Sequence, residues 1–268
     1  MSLDLPAARE AFARDGVVFA RGALDAEALA AALAAWDWSL ANPGPFASKI
    51  AQHDAAATFH QDLYNPRCLD GYRAMLEASP LTALIAELWR APEVWFMYEQ
   101  VFLKEGGEAR RTPWHQDSSY LAVAGHHLAV AWITFDPVSA GESLEFVRGS
   151  HRGVLFNGSR FELGDDTAPL HRDASMPRLP DIEADRAAFD IVSFAVEPGD
   201  VVIFHPAMLH GGGPTHPGQR RRTLSLRYFG ADAVYDPRPG PAGPRVEGIH
   251  TRLKAGDPFR DPSFLKLA

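Results

Sequence analysis

His115 and Asp117, in the stretch Thr112-Pro113-Trp114-His115-Gln116-Asp117, carry the residue types of a metal site. On extended backbone, side chains two residues apart point to the same side, so the imidazole and the carboxylate can hold one face of an ion together. A second histidine from a distant strand completes a 2-His-1-carboxylate set. Such a set leaves the opposite face of a non-heme Fe(II) open to substrates and oxygen. A His-x-Asp pair alone is weak evidence, and its force depends on the residues farther along the chain.

Eleven histidines are present, so the third ligand has to be selected among them. His126 and His127 fall in a turn just past the motif. His171 lies in an irregular stretch, His216 in a Pro/Gly-rich loop and His250 in the tail. His205 and His210 remain, both just beyond the apolar run Val201 to Phe204, where a sheet rim would deliver a ligand. His205 precedes Pro206 and reads as a structural residue at a strand end. His210 precedes Gly211-Gly212-Gly213, which would let backbone pass close to a metal or ligand. His210 is therefore the preferred ligand. Arg220-Arg221-Arg222 then leads into Thr223 to Phe229, a strand pattern that turns alternate side chains inward. One of these arginines could clamp the far end of a dicarboxylate through a bidentate pair. The chain is too acidic, and the run too short, for a nucleic-acid patch.

These residues need strands to position them. Val94 to Lys104 is rich in aromatic and β-branched residues. Leu128 to Phe135, Glu145 to Val147, Ile191 to Val196, Val201 to Phe204 and Thr223 to Phe229 are further strands, separated by Gly/Pro turns. Gln100 and Lys104 share one face of the first of these and can approach the same pocket. Residues 1–92 read as mainly helical, with Asp25 capping a helix through Leu29, Leu33, Trp36 and Leu40, and a second one starting near Pro80. Gly16 to Phe19 forms a short strand before them. The predicted fold is mainly β with flanking helices: a jelly-roll, or double-stranded β-helix, core over residues 93–230. Residues 155–189 lack periodicity and read as a lid insertion containing Arg160, Arg172 and Arg178. Residues 231–268 are an irregular C-terminal wrap.

Composition narrows the class. Hydrophobic residues make up 46% and charged residues 22%, which supplies a sizeable core for one domain. A formal net charge of −8 argues against nucleic acid or an anionic membrane as partner. Cys68 is the single cysteine, so neither an internal disulfide nor a thiolate zinc cluster is available, and a reducing cytoplasm is the expected location. No apolar stretch has transmembrane length, and the N-terminal residues lack a signal-peptide pattern.

An ordered set of motifs resembles the phytanoyl-CoA dioxygenase family of Fe(II)/2-oxoglutarate-dependent oxygenases. Phe12-Ala13-Arg14-Asp15-Gly16-Val17-Val18 is similar to the family's opening, and Trp114-His115-Gln116-Asp117 to its metal motif. Ser143 to His151 is similar to its mid-chain Pro-Gly-Ser-His element, with Arg148 in place of the proline. Pro198-Gly199-Asp200 through His210, and the strand from Arg221 to Tyr228, complete the set. The resemblance implies His115, Asp117 and His210 as iron ligands. It also implies Arg221, eleven residues after His210, as the 2-oxoglutarate clamp. Thr223 and Ser225 then fall on the same side as Arg221, Arg222 points away, and Trp132 borders the cosubstrate pocket or packs as ordinary core.

The family chemistry implied is oxidative decarboxylation of 2-oxoglutarate by O2 to succinate and CO2, coupled to hydroxylation of an aliphatic C–H bond in a small-molecule or acyl substrate. Asp117 favours hydroxylation over halogenation, because related halogenases replace the carboxylate with a small residue. Arg110 and Arg111 either recognise an anionic substrate or are loop charges. Trp114 and Tyr120 either wall the substrate or pack the core. Two other readings stay open: a cupin-like metalloenzyme that does not use 2-oxoglutarate, and a catalytically silent binding protein of the same fold. Neither needs a dicarboxylate clamp at the position of Arg221.

Overall fold

Two antiparallel sheets face one another in the computed structural model, which describes residues 3–50, 52–172 and 175–268. In chain order the first elements are α1 (Leu5–Asp15), β1 (Val17–Ala20), α2 (Ala26–Ala41), β2 (Ser48–Lys49), β3 (Ala57–Leu63), α3 (Cys68–Ala78) and α4 (Leu81–Trp89). Then come β4 (Trp95–Gly106), β5 (Thr112–His115), β6 (Val123–Ala124), β7 (Leu128–Thr134), β8 (Leu144–Val147), β9 (Ile191–Ser193), β10 (Val201–Phe204), β11 (His210–Gly212) and β12 (Arg221–Phe229). The chain finishes with β13 (Val234–Tyr235), α5 (Ile249–Arg252) and β14 (Leu265–Lys266).

Local signals set the helix ends. Asp4 accepts the Ala7 N–H to cap α1, and Gly16, at φ 81°, ends it in the left-handed conformation that a side chain resists. Asp25 caps α2 in the same way through Ala28. Residues 1–92 hold four helices and, as β1, the short strand expected near Gly16 to Phe19; β2 and β3 are the strands not anticipated there. Both β1 and the seven-residue β3 are members of the large sheet, and α3 lies between β3 and α4 in the chain.

The large sheet has the order β1-β10-β7-β12-β4-β3-β2, with β14 also pairing with β4. The small sheet has the order β5-β11-β8-β9, and β13 and β6 form a separate pair. Side chains alternate across the large sheet. Val101, Ala131, Ile133, Val201, Ile203, Leu224 and Leu226 pack outward into a cluster with Trp36, Leu76, Ile85 and Leu88 from the helices. Val130, Trp132, Val202 and Phe204 point inward and meet Phe146 of the small sheet. Between the sheets, part of the inward face stays open as a cavity.

One irregularity marks the end of that open face. Along β12 and β4 the pairing runs from Arg221 with Lys104 to Arg227 with Tyr98, and then shifts so that Tyr228 meets Phe96. Such a bulge redirects side chains. Beyond it, Trp95, Met97 and Phe229 pack with Phe259 and Phe264 of the C-terminal stretch. That stretch is more ordered than an irregular wrap: β14 pairs with Trp95 and Phe96.

Candidate metal and cosubstrate site

His115 ends β5 and His210 begins β11, and the two are direct cross-strand partners. Gln116 keeps extended backbone (φ −120°, ψ 124°), so Asp117, at the start of a single 3-10 turn, projects toward the same side as His115. The three side chains offer ligand atoms that all lie within 4.8 Å of one another. Asp117 Oδ1 stands 3.5 Å from His115 Nε2 and 3.9 Å from His210 Nε2.

Hydrogen bonding fixes which ring nitrogens are free. His115 Nδ1 lies 2.8 Å from the Pro113 carbonyl and His210 Nδ1 3.0 Å from the Met208 carbonyl. A carbonyl can only accept, so both protons sit on Nδ1 and both Nε2 lone pairs face Asp117. Burial, and then the neighbouring His115, push His210 down to about 3, so it is a neutral imidazole at physiological pH. Burial opposes ionisation of Asp117, but the Arg227 guanidinium leads the effects that outweigh it and hold the carboxyl well below the usual range. Two imidazole nitrogens and a carboxylate oxygen thus converge on one point. A cation is what satisfies such a donor set, and two imidazoles with one carboxylate suit Fe(II).

The three ligands line one cavity of about 510 Å³ together with Arg221, Thr223, Ser225, Arg227, Lys104, Gln100 and Trp132. Arg221, Thr223, Ser225 and Arg227 are the inward-facing positions of β12. Their in-register neighbours are Lys104 opposite Arg221, and both Gln100 and Trp132 opposite Ser225. Arg221 donates to the carbonyls of Glu142 and Gly213, the latter at 3.0 Å. Gly213 is three residues past His210, about 10 Å of extended chain. Arg222 turns outward and pairs with Asp136 at 2.8 Å. Lys104 Nζ donates to the Arg110 carbonyl and sits over the Phe59 ring. Burial, reinforced by Arg221, holds its ammonium well below the ordinary lysine value.

The glycines after His210 act on backbone packing. A Cβ on Gly213 would lie 2.4 Å from the Gly141 carbonyl oxygen and 2.5 Å from Glu142 Cα, and one on Gly211 would lie 2.9 Å from the Thr112 carbonyl. Gly211 and Gly213 let the chain press against its neighbours, while Gly212 lines the cavity, the close approach expected of these glycines. His205 takes its expected structural place: its Nε2 faces the Gly125 carbonyl and its Nδ1 accepts from the Ala207 N–H.

Four substrate expectations divide. Tyr120 lines the cavity, with its hydroxyl donating to the Ser159 carbonyl at 2.6 Å. Trp114 faces the other way, packing with Leu179 and Ile182 and donating to Glu183. Arg110 and Arg111 do not line the cavity. Arg110 donates to the Phe161 carbonyl at 2.6 Å, and Arg111 pairs with Glu183 at 2.5 Å, so both tie down the stretch between β8 and β9. They sit just before β5, beside the metal motif, so spacing alone does not separate binding from anchoring.

That stretch and the tail supply wall residues that spacing does not reveal. Phe161, in the left-handed conformation (φ 55°), brings its ring to 5.3 Å from His115 and stacks with Tyr120. Tyr64, Tyr98, Leu170, Pro241, Gly243 and Arg245 complete that side. Arg227 also escapes a reading by motif, although the period-two pattern Arg221, Thr223, Ser225, Arg227 contains it. It donates to Asp117 Oδ2 from Nε at 3.2 Å and from Nη2 at 2.8 Å.

The chain resembles known proteins over this whole arrangement. It is 27% identical over 195 residues to the peroxisomal phytanoyl-CoA dioxygenase of Homo sapiens, covering 70% of this chain and 54% of that protein. It is 27% identical over 121 residues to a probable alpha-ketoglutarate-dependent hypophosphite dioxygenase of Stutzerimonas stutzeri, covering 45% and 40%. The chain thus spans about half or less of these curated relatives. Its fold matches that of the epimerase SnoN, whose crystal structure holds Fe3+, alpha ketoglutarate and nogalamycin RO. The TM-score is 0.72 at 20% identity, over 98% of both chains. The family model for Phytanoyl-CoA dioxygenase (PhyH) matches residues 12–223, from α1 into β12 and through all three metal-ligand positions. The chain belongs to the phytanoyl-CoA dioxygenase family.

Proposed function

We propose that the chain is a non-heme Fe(II)- and 2-oxoglutarate-dependent dioxygenase, with a double-stranded β-helix core, that hydroxylates an aliphatic C–H bond. One observation carries this reading: the His115–Asp117–His210 donor set and the buried pair Arg221 and Lys104 share one cavity. A metal-only enzyme or a silent binding protein has no use for two buried cations there. When bound, iron and 2-oxoglutarate supply the oxidising power, converting O2, 2-oxoglutarate and a C–H substrate into succinate, CO2 and an alcohol.

The chain's own residues bind, orient and exclude water. His115, Asp117 and His210 would hold the metal on one face. Arg221 would pair with the C5 carboxylate of 2-oxoglutarate, exchanging its two backbone acceptors for a charged one. Thr223 and Ser225 offer hydroxyls along the same wall, Lys104 adds positive charge, and Gln100 and Trp132 flank Ser225. Tyr120, Phe161, Tyr64 and Tyr98 keep the substrate side apolar. We assign the substrate to small organic molecules or acyl groups, on the apolar character of that wall. The single free cysteine supports a reducing compartment such as the cytoplasm. Among the described residues no helix is long and apolar enough to cross a membrane.

The test needs no substrate. Fe(II) and 2-oxoglutarate are added anaerobically to metal-free protein and the visible spectrum is recorded. A weak charge-transfer band that requires both components is expected. Iron binding with no band on adding 2-oxoglutarate would favour a metalloprotein of another activity.

A further inference from the structure

The two oxygens of the Asp117 carboxylate stand in different situations. Oδ1 faces the histidine nitrogens. Oδ2 accepts from both Nε and Nη2 of Arg227, a fork that fits one carboxylate oxygen in a fixed orientation. Arg227 is itself held on two further sides. Its Nη2 donates to Gln100 Oε1 at 2.7 Å, and Gln100 Nε2 in turn donates to Gln61 Oε1 at 3.3 Å. The guanidinium carbon lies 4.6 Å from the centre of the Tyr98 ring. Arg227 is 5% exposed and is the last inward position before the bulge, so the shift in pairing closes its surroundings.

From this arrangement we infer that Arg227 is a positioning residue that restricts Asp117 to one-oxygen metal coordination, and so sets how many positions on the metal stay open. The inference rests on the metal site proposed above. A carboxylate with both oxygens free can chelate a divalent cation and take up a second position. On an octahedral ion, His115, His210 and a one-oxygen Asp117 leave three positions. A chelating Asp117 leaves two, which 2-oxoglutarate alone would fill. Arg227 thereby keeps a place for O2 through its hold on Asp117.

Water-proton relaxation of Mn(II)-loaded protein tests this, because relaxivity per bound ion scales with the number of exchangeable metal-bound waters. Arg227→Lys keeps the positive charge but cannot hold Oδ2 in a fork. Its relaxivity per bound Mn(II) should fall by roughly one third relative to the unsubstituted protein, from three open positions to two. Mn(II) affinity should be equal or tighter, an outcome that a merely structural role would not give. Equal relaxivity in both proteins, with Mn(II) bound in both, would overturn the role of Arg227 and leave the metal site standing. Failure of the unsubstituted protein to bind Mn(II) would overturn the metal site and this inference together. Should Arg227→Lys not fold, a crystal structure of the unsubstituted Mn(II) form decides: Oδ1 alone on the metal is expected, and both oxygens on it would refute the inference.

Discussion

Lys104 and Arg221 occupy directly paired positions on β4 and β12, two buried cations on one cavity wall. Burial also lowers Arg221, to about 10. Neither side chain has a carboxylate at hydrogen-bonding distance among the described residues; both donate to backbone carbonyls. A buried guanidinium and a buried amine with no carboxylate at hydrogen-bonding distance call for an anionic ligand.

2-Oxoglutarate should therefore raise the melting temperature of the metal-loaded protein, through its preferential binding to the folded state. Arg221→Ala should remove most of that shift and raise the 2-oxoglutarate requirement roughly 30-fold or more, the cost of a lost charged hydrogen-bond pair. Differential scanning fluorimetry across a 2-oxoglutarate titration measures both. An undiminished shift in Arg221→Ala would move the clamp to Lys104.

His115→Ala and His210→Ala should each abolish metal-dependent stabilisation and turnover while the protein stays folded. Both rings line the open cavity, so truncation enlarges an existing space instead of leaving a sealed void. Circular dichroism with calorimetric Fe(II) or Mn(II) titration separates the two effects. Full activity in His210→Ala would remove this residue from the ligand set.

His205 gives the acid side of the stability profile. Burial lowers it to about 4 in the fold, below the unfolded value of 6.5. A lowered folded value means that the unfolded chain takes up the proton first. The stability contributed by neutral His205 is thus complete above pH 6.5 and lost as pH falls toward 4, by about 3 kcal/mol. Urea unfolding of His205→Gln between pH 7 and 4 should show a shallower loss than the unsubstituted protein.

Glu99 acts in the opposite direction. Burial raises its carboxyl to about 7, against an ordinary 4.5, despite the Asn65 N–H donated to Oε1. Its favourable contribution is present below pH 4.5 and disappears as pH rises through 7. Glu99→Gln keeps the acceptor for Asn65 and should stabilise the protein by about 3 kcal/mol at pH 8, with little change at pH 4.5. Equal effects at the two pH values would show that the carboxyl ionises freely in the fold.

Arg111 links Glu145 of β8 to Glu183 in the stretch before β9, and Arg186 bridges the same two carboxylates. Arg111→Ala should loosen that stretch locally, by about 1–2 kcal/mol, without unfolding the sheets. Limited proteolysis should then cut between residues 176 and 189 faster than in the unsubstituted protein. An unchanged rate would assign the anchoring to Trp114 and Arg110.

Where periodicity and caps are strong, the sequence reads directly: α2 from its Asp25 cap, and β10 at Val201–Phe204, as predicted. The inward set Arg221, Thr223 and Ser225 follows from strand alternation once the family resemblance selects Arg221 among the three arginines. The short strands β5 and β11 escape such reading, because His, Gly and Pro give no apolar period and their partners lie far along the chain. β3 escapes it too, because His60, Gln61 and Asp62 break its apolar pattern, although Phe59, Gln61 and Leu63 line the cavity. Arg110 and Arg111 show the converse limit: a charge beside a motif says nothing of its direction until the facing segment, with Glu145, Glu183 and the Phe161 carbonyl, is in place.

Part of the cavity wall comes from segments other than those that carry the candidate metal ligands and the inward arginines. His115, Asp117, His210, Arg221 and Arg227 sit on ladder strands or the turn directly after one. Phe161, Leu170, Pro241 and Gly243 come from stretches outside the two large sheets. Those stretches can lengthen, shorten or change composition while the β5–β11 and β4–β12 registers stay fixed. A chain on this plan can change what its cavity admits by rewriting two peripheral segments, with His115, Asp117, His210 and Arg221 left in place.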